Sequence, residues 1–172
     1  MTERDEPEQF KDRGRYTVIP RTLVFLTQGD AVLLLRGAPT KRLWAGRYNG
    51  LGGHVESDET FAAAALREIE EEAGIAPTQI RDFTLRALLN IEGVPHGVLL
   101  AVFVGEAATR AVRPSREGTP EWIARAALGT IDLVDGDRLL PRLLDVRGVL
   151  HGHLRYDADG SVEPSRSHSA DV

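Results

Sequence analysis

The chain has no cysteine, which excludes disulfides, thiolate zinc sites and cysteine nucleophiles. It has no apolar run long enough to span a membrane. Its first fifteen residues, MTERDEPEQFKDRGR, hold no apolar stretch of the signal-peptide kind, so a cytoplasmic location is expected. It also lacks an excess of base: 21 Lys and Arg against 26 Asp and Glu leave a formal net charge of -5. General nucleic-acid binders rely on basic patches to contact phosphates, so no stable nucleic-acid partner is expected, and no membrane partner either. An anionic small molecule remains open as a ligand. It would need local cations, from basic side chains or from bound metal. No internal repeat and no Pro/Gly/Ser-rich linker divides the chain.

What is present is an ordinary soluble composition, 42% hydrophobic and 27% charged over 172 residues. That length predicts one domain with a sizeable core. Polar composition marks residues 1–15 as a flexible segment and 161–172 as a flexible tail around a domain at 16–160. Thr17 to Leu26 and Ala31 to Arg36 read as strands joined by the turn Gln28-Gly29-Asp30. Further strands are expected over Phe83–Ile91, Val98–Val104 and Leu150–Tyr156. A short helix is expected near Ala124–Leu128 and a stronger one over Arg138–Val146. Interspersed strands and helices predict an α/β fold with a mixed sheet flanked by helices. Gly46, Gly50, Gly52 and Gly53 mark a loop that bends sharply or lies close to a ligand.

The clearest helix is Glu59 to Ala73, with Ser57 or Asp58 as N-cap and Gly74 just past its end. Ala62, Ala65, Leu66, Ile69 and Ala73 recur at helical spacing as one apolar stripe. At roughly 100° per residue, Glu68, Glu71 and Glu72 share a neighbouring face. Like charges at this spacing repel, and hard oxygen ligands in such a group suit Mg²⁺ or Mn²⁺. A solvated acidic face is the plainer reading of the helix taken alone.

The wider spacing changes that balance. Gly53, five residues, Glu59, seven residues, Arg67-Glu68-Ile69, one residue, Glu71-Glu72, one residue and Gly74-Ile75 match all nine defined positions of G-x5-E-x7-R-E-U-x-E-E-x-G-U, where U is a bulky aliphatic residue. This resembles the Nudix box. The resemblance implies a Nudix-type α/β/α sandwich and a pyrophosphohydrolase of nucleoside diphosphate linkages, assisted by a divalent metal such as Mg²⁺ or Mn²⁺. It implies Glu68, Glu71 and Glu72 as metal ligands with the Gly52 carbonyl, and Glu59 with Arg67 as a supporting salt bridge.

Upstream, Tyr48-Asn49-Gly50-Leu51-Gly52-Gly53 resembles the W-N-G-x-G-G run of MutT-like 8-oxo-dGTP diphosphatases, whose asparagine bonds the purine edge. This carries Asn49 into that role, with Tyr48 beside it. A turn asparagine before glycine is the structural alternative. His54 departs from the lysine common there. Glu117 lies five residues before Trp122, the offset of a metal-binding glutamate in MutT-like enzymes. It is therefore a further candidate for metal binding and for catalysis with Glu71 and Glu72; a simple loop carboxylate is the alternative, and Glu121 is its neighbour and rival. Arg36, Lys41, Arg42 and Arg47 are candidate phosphate contacts. Asp135 either reads a purine edge or caps the Arg138 helix.

His151 and His153 read as a strand-surface pair, His96 as exposed, and Trp44, Trp122, Phe83 and Phe103 as core or pocket wall. The expected activity is release of pyrophosphate from a nucleoside triphosphate, including oxidised purine nucleotides, by a monomer or homodimer. The alternatives are hydrolysis of ADP-ribose or dinucleoside polyphosphates, and a nucleotide-sensing domain without turnover.

Overall fold

The computed structural model describes residues 14–41, 44–93, 95–134, 140–145, 147–156 and 162–170. Its strands are β1 (Val18–Gln28), β2 (Ala31–Gly37), β3 (Tyr48–Asn49), β4 (Ile80–Ile91), β5 (Gly97–Ala107), β6 (Gly118–Ala124), β7 (Val149–Tyr156) and β8 (Val162–Ala170). Its α-helices are α1 (Phe61–Ala73) and α2 (Leu140–Asp145), and Arg125–Thr130 forms a 3-10 turn where a short helix is expected. Of the longer helix expected over Arg138–Val146, residues 138, 139 and 146 lie outside the described residues.

All eight strands join one sheet in the order β3-β2-β1-β5-β4-β7-β8, with β6 also paired to β2. β1 pairs parallel with β5, and β4 with β7; the other pairings are antiparallel. The sheet is therefore mixed, as expected. Side-chain alternation divides the core between its two faces. Val24, Leu26, Leu33 and Leu35 pack under α1 with Ala65, Ile69 and Ala73. Phe25, Val32 and Leu34 pack on the opposite face with Leu128, Leu140 and Leu143. β2 over Ala31–Leu35 and the middles of β1 and β5 are buried on both sides, which makes them apolar runs, and helices on both faces complete the α/β/α sandwich.

Five details differ from the sequence expectation. Residues 161–172 are not wholly a tail, because Val162–Ala170 pairs antiparallel with β7. An outer strand needs ladder hydrogen bonds rather than apolar side chains, so polarity alone misreads it. β6 was not expected either, since Gly118 and Pro120 are turn residues; among the described residues it pairs only with β2, where proline is tolerated. The α1 N-cap is Thr60, whose Oγ1 accepts from Ala63 N at 3.2 Å, because 56–59 is spent on a tight turn closed by Glu59 N to Glu56 O at 3.3 Å. Ala62 is exposed, and Ala64 takes its place in the buried stripe. Trp44 is no core residue: it is 40% exposed, with φ at 62°. Phe83 and Phe103 do stack within the core, ring centroids 4.9 Å apart.

Candidate functional site

The loop before α1 is held by β1. β2 leaves β1 after Leu33, and the freed edge of β1 takes up residues 51–53 instead. Val24 N donates to Leu51 O at 2.7 Å, Leu51 N to Val24 O at 3.0 Å, and Thr22 N to Gly53 O at 2.9 Å. This close approach explains two glycines. Gly52 has φ at 138°, and a Cβ there would run into the Thr22 carbonyl. A Cβ on Gly53 would occupy the space of the Glu68 carboxylate. Thr22, only 3% exposed, was missed in the sequence; a hydroxyl directly before the apolar run Leu23–Leu26 was its signal.

Arg67 ties this loop to α1. Its Nη2 and Nε donate to Glu59 at 2.7 and 3.2 Å, Nη1 donates to Glu68 at 3.0 Å, and Nη2 also reaches the His54 carbonyl at 3.1 Å. Glu59 in turn accepts from Glu56 N at 2.9 Å. The Arg67 guanidinium, then the Glu56 N–H, hold the Glu59 carboxyl below the usual range. Glu59 first, then Glu68, raises the Arg67 pKa further.

The three helix carboxylates are not equivalent. Measured from the buried Ile69, Glu72 is turned by about 60°, Glu68 by about 100° and Glu71 by about 160°. Burial follows that order: Glu72 is 4% exposed, and the side chains of Glu68 and Glu71 are 14% and 58% exposed. Glu72 accepts from Gly52 N at 2.8 Å. Desolvation pushes its pKa up to about 7; the Gly52 N–H opposes that rise, Glu68 adds to it, Lys41 opposes it and Glu117 adds to it. Lys41 and Glu117, an ion pair from two different loops, thus lie within the electrostatic reach of Glu72.

Among the described residues no three acidic or histidine side chains converge on a single point. Arg67 holds Glu68 and Glu71, and Lys41 holds Glu117. The donor chemistry nonetheless fits a hard divalent cation. All the donors are oxygens, and among the described residues the buried Glu72 carboxylate is bonded to no cationic side chain.

The upstream candidates separate onto two faces. Tyr48 packs with the α2-side core, so alternation turns Asn49 to the α1 side, and its Oδ1 accepts from Gly50 N at 2.8 Å. Tyr48 OH donates to Glu121 at 2.8 Å, and this bond is the main reason its pKa rises. Arg36 lies 3.5 Å from the same Glu121. Glu121 therefore belongs to the face away from Glu72. Arg47 is spent on Asp132 and the Leu133 carbonyl, at 3.0 and 2.8 Å. Arg42 and Asp135 lie outside the described residues. The loop after β2 and the segment before β6 face each other across a cleft of about 530 Å³ lined by Arg36, Ala38, Ser115 and Thr119; Lys41 and Glu117 come from these two walls.

A family model for the NUDIX domain matches residues 18–144. The chain belongs to the Nudix family. It is 27% identical over 141 residues to the oxidized purine nucleoside triphosphate hydrolase of Mus musculus, covering 82% of this chain and 88% of the mouse protein. It is 35% identical over 105 residues to the protein of the same name from Danio rerio, covering 59% of this chain and 63% of that one. The MutT mutator protein of Bacillus halodurans superposes with a TM-score of 0.64 at 21% identity, over 88% of this chain and 97% of that one; that likeness shows the fold. As a Nudix domain with hydrolase relatives, the chain is a pyrophosphohydrolase, and the Nudix box of residues 53–75 is the loop and helix described above.

Proposed function

We propose that this Nudix enzyme hydrolyses a purine nucleoside triphosphate, oxidised purines included, to the monophosphate and pyrophosphate with a divalent cation. The observation that carries the reading is the Glu72 carboxylate, buried at the end of α1 beside Glu68 and, among the described residues, bonded to no cationic side chain. The names of the mouse and zebrafish relatives support the substrate class.

Glu68, Glu71, Glu72, Glu117 and the Gly52 carbonyl would hold the cation, Mg²⁺ or Mn²⁺. When bound, it supplies charge neutralisation and orientation of the diphosphate oxygens. The chain's own residues do the rest. Gly52 N–H keeps Glu72 aimed at the loop, and Arg67 keeps the helix against that loop. Lys41 brings positive charge to the phosphates at the cleft wall. The Asn49 amide nitrogen donates to an acceptor on the purine edge. Glu117, whose side chain is 55% exposed, is open to water and acts as base. The water oxygen bonds to phosphorus, its proton passes to Glu117, and the bridging oxygen leaves with pyrophosphate.

A panel of nucleoside triphosphates, oxidised purine triphosphates, ADP-ribose and dinucleoside polyphosphates, assayed with Mg²⁺ and with Mn²⁺, tests this. Pyrophosphate release is expected from purine triphosphates and from no others at comparable kcat/KM. Turnover of ADP-ribose without turnover of triphosphates would overturn the substrate reading.

A further inference from the structure

The last turn of α1 carries Glu70, Glu71 and Glu72 and no basic residue. A helix C-terminus is already the negative end of its dipole and favours a cation. Within α1 the nearest cation is Arg67, taken by Glu59, Glu68 and Glu71. The compensating charge comes from elsewhere in the chain. Residues 108–117, between β5 and β6, cross the end of the helix. Arg113 N donates to Ala73 O at 3.0 Å, and its Nη2 reaches Glu70 O at 3.5 Å. The side chain lies across Gly74, where an added Cβ would meet Arg113 Nε, Cγ and Cδ at 2.6, 2.7 and 2.9 Å. Glycine is thus required at 74 twice, for φ at 75° and for room beneath Arg113.

Four residues on, the same segment presents Glu117. Its course between the two is fixed: Val112 packs on the α1-side core, Ser115 N donates to Gly118 O at 2.9 Å, and Ala38 N donates to Glu117 O at 3.0 Å. We propose that Arg113 is a positioning residue. It staples the Glu117 segment to the C-terminal turn of α1 and so holds Glu117 and Glu72 in one cation-binding site. The proposal rests on the reading of Glu72 and Glu117 as a shared site.

The test is a double-mutant cycle read by Mn²⁺ affinity, from electron paramagnetic resonance of the free ion, with thermal unfolding alongside. Arg113→Ala in the otherwise unchanged chain is expected to weaken Mn²⁺ binding roughly 3- to 10-fold. Arg113→Lys keeps a cation at the helix end and is expected to stay within about two-fold of the parent. In a Glu117→Gln background, Arg113→Ala is expected to add less than about two-fold, because the group it positions is gone. An equal loss in both backgrounds, or no loss in either with the fold intact, overturns the assignment. An Arg113→Ala chain too unstable to assay moves the same test to Arg113→Gln, which keeps the side chain's reach over Gly74. A chain with this coupling that hydrolyses no triphosphate would refute the substrate reading and leave Arg113 in place. Additive effects in an active triphosphatase would do the reverse.

Discussion

Under the proposed function Glu72 meets two demands that oppose each other. It is buried on the core-facing side of α1, yet the proposed cation site needs it as a charge. In the metal-free protein its folded pKa of about 7 lies above the unfolded value of 4.5. Between those values the folded state binds more protons than the unfolded one, so stability falls as pH rises. Urea unfolding in EDTA is therefore expected to give a lower midpoint at pH 8 than at pH 5.5, and saturating Mn²⁺ should lessen the difference. A flat profile in EDTA would contradict the burial argument. Glu72→Gln keeps an acceptor for Gly52 N and removes the charge. It is expected to stabilise the metal-free protein at pH 8, by on the order of 1–3 kcal/mol, while metal-dependent turnover falls at least a hundred-fold. Loss of activity with gain of stability separates a functional carboxylate from a structural one; a fully active variant would remove Glu72 from the site.

At the scale of elements, the site depends on how the 50–60 loop meets α1. Thr60 caps the helix, and Thr60→Ala is expected to cost about 1 kcal/mol in chemical denaturation with little change in KM. Gly53→Ala acts differently, because the new methyl would fall on the Glu68 carboxylate. Its expected signature is a large drop in kcat with a small change in thermal midpoint, measured on the same preparation. Equal activity would show that Glu68 can move aside without consequence. The Glu59–Arg67 pair belongs to this scale too. It joins loop to helix over eight residues of sequence through two guanidinium donors on one partly buried carboxylate, a geometry that fixes orientation as well as adding energy.

Across the whole molecule, the strand order separates the site from the C-terminal hairpin. β3 and the 51–53 loop stand at one side of the sheet, and β8 at the far edge beyond β7. A chain truncated after Tyr156 is expected to retain metal-dependent activity within a few-fold, to unfold at lower temperature and to self-associate through the exposed β7 edge. Size-exclusion chromatography and a thermal scan check both halves of that expectation. Loss of activity in a folded, monomeric truncation would show that β8 reaches the site.

The 53–75 spacing and the helical period were legible because both are local: Gly53, Glu59, Arg67 and the three glutamates stand in fixed register along one loop and one helix. The doubly buried strands were legible for the same reason, as runs of Val, Leu and Phe. Other features needed the tertiary structure, because they depend on long-range neighbours. Periodicity put Glu68, Glu71 and Glu72 on one face, but only packing against β1 ranked them from buried to exposed. Tyr48 and Asn49 are adjacent in sequence, yet the pleat sends them to opposite sides of the sheet. Arg113 and Thr22 carry no motif, and their positions at the helix end and under Gly53 come from segments distant in the chain. The sequence by itself determined the box, its family and the chemistry of its donors. Which carboxylate is desolvated, and which distant side chains hold the box in place, was decided by the fold, since desolvation and contact exist only once the chain is packed.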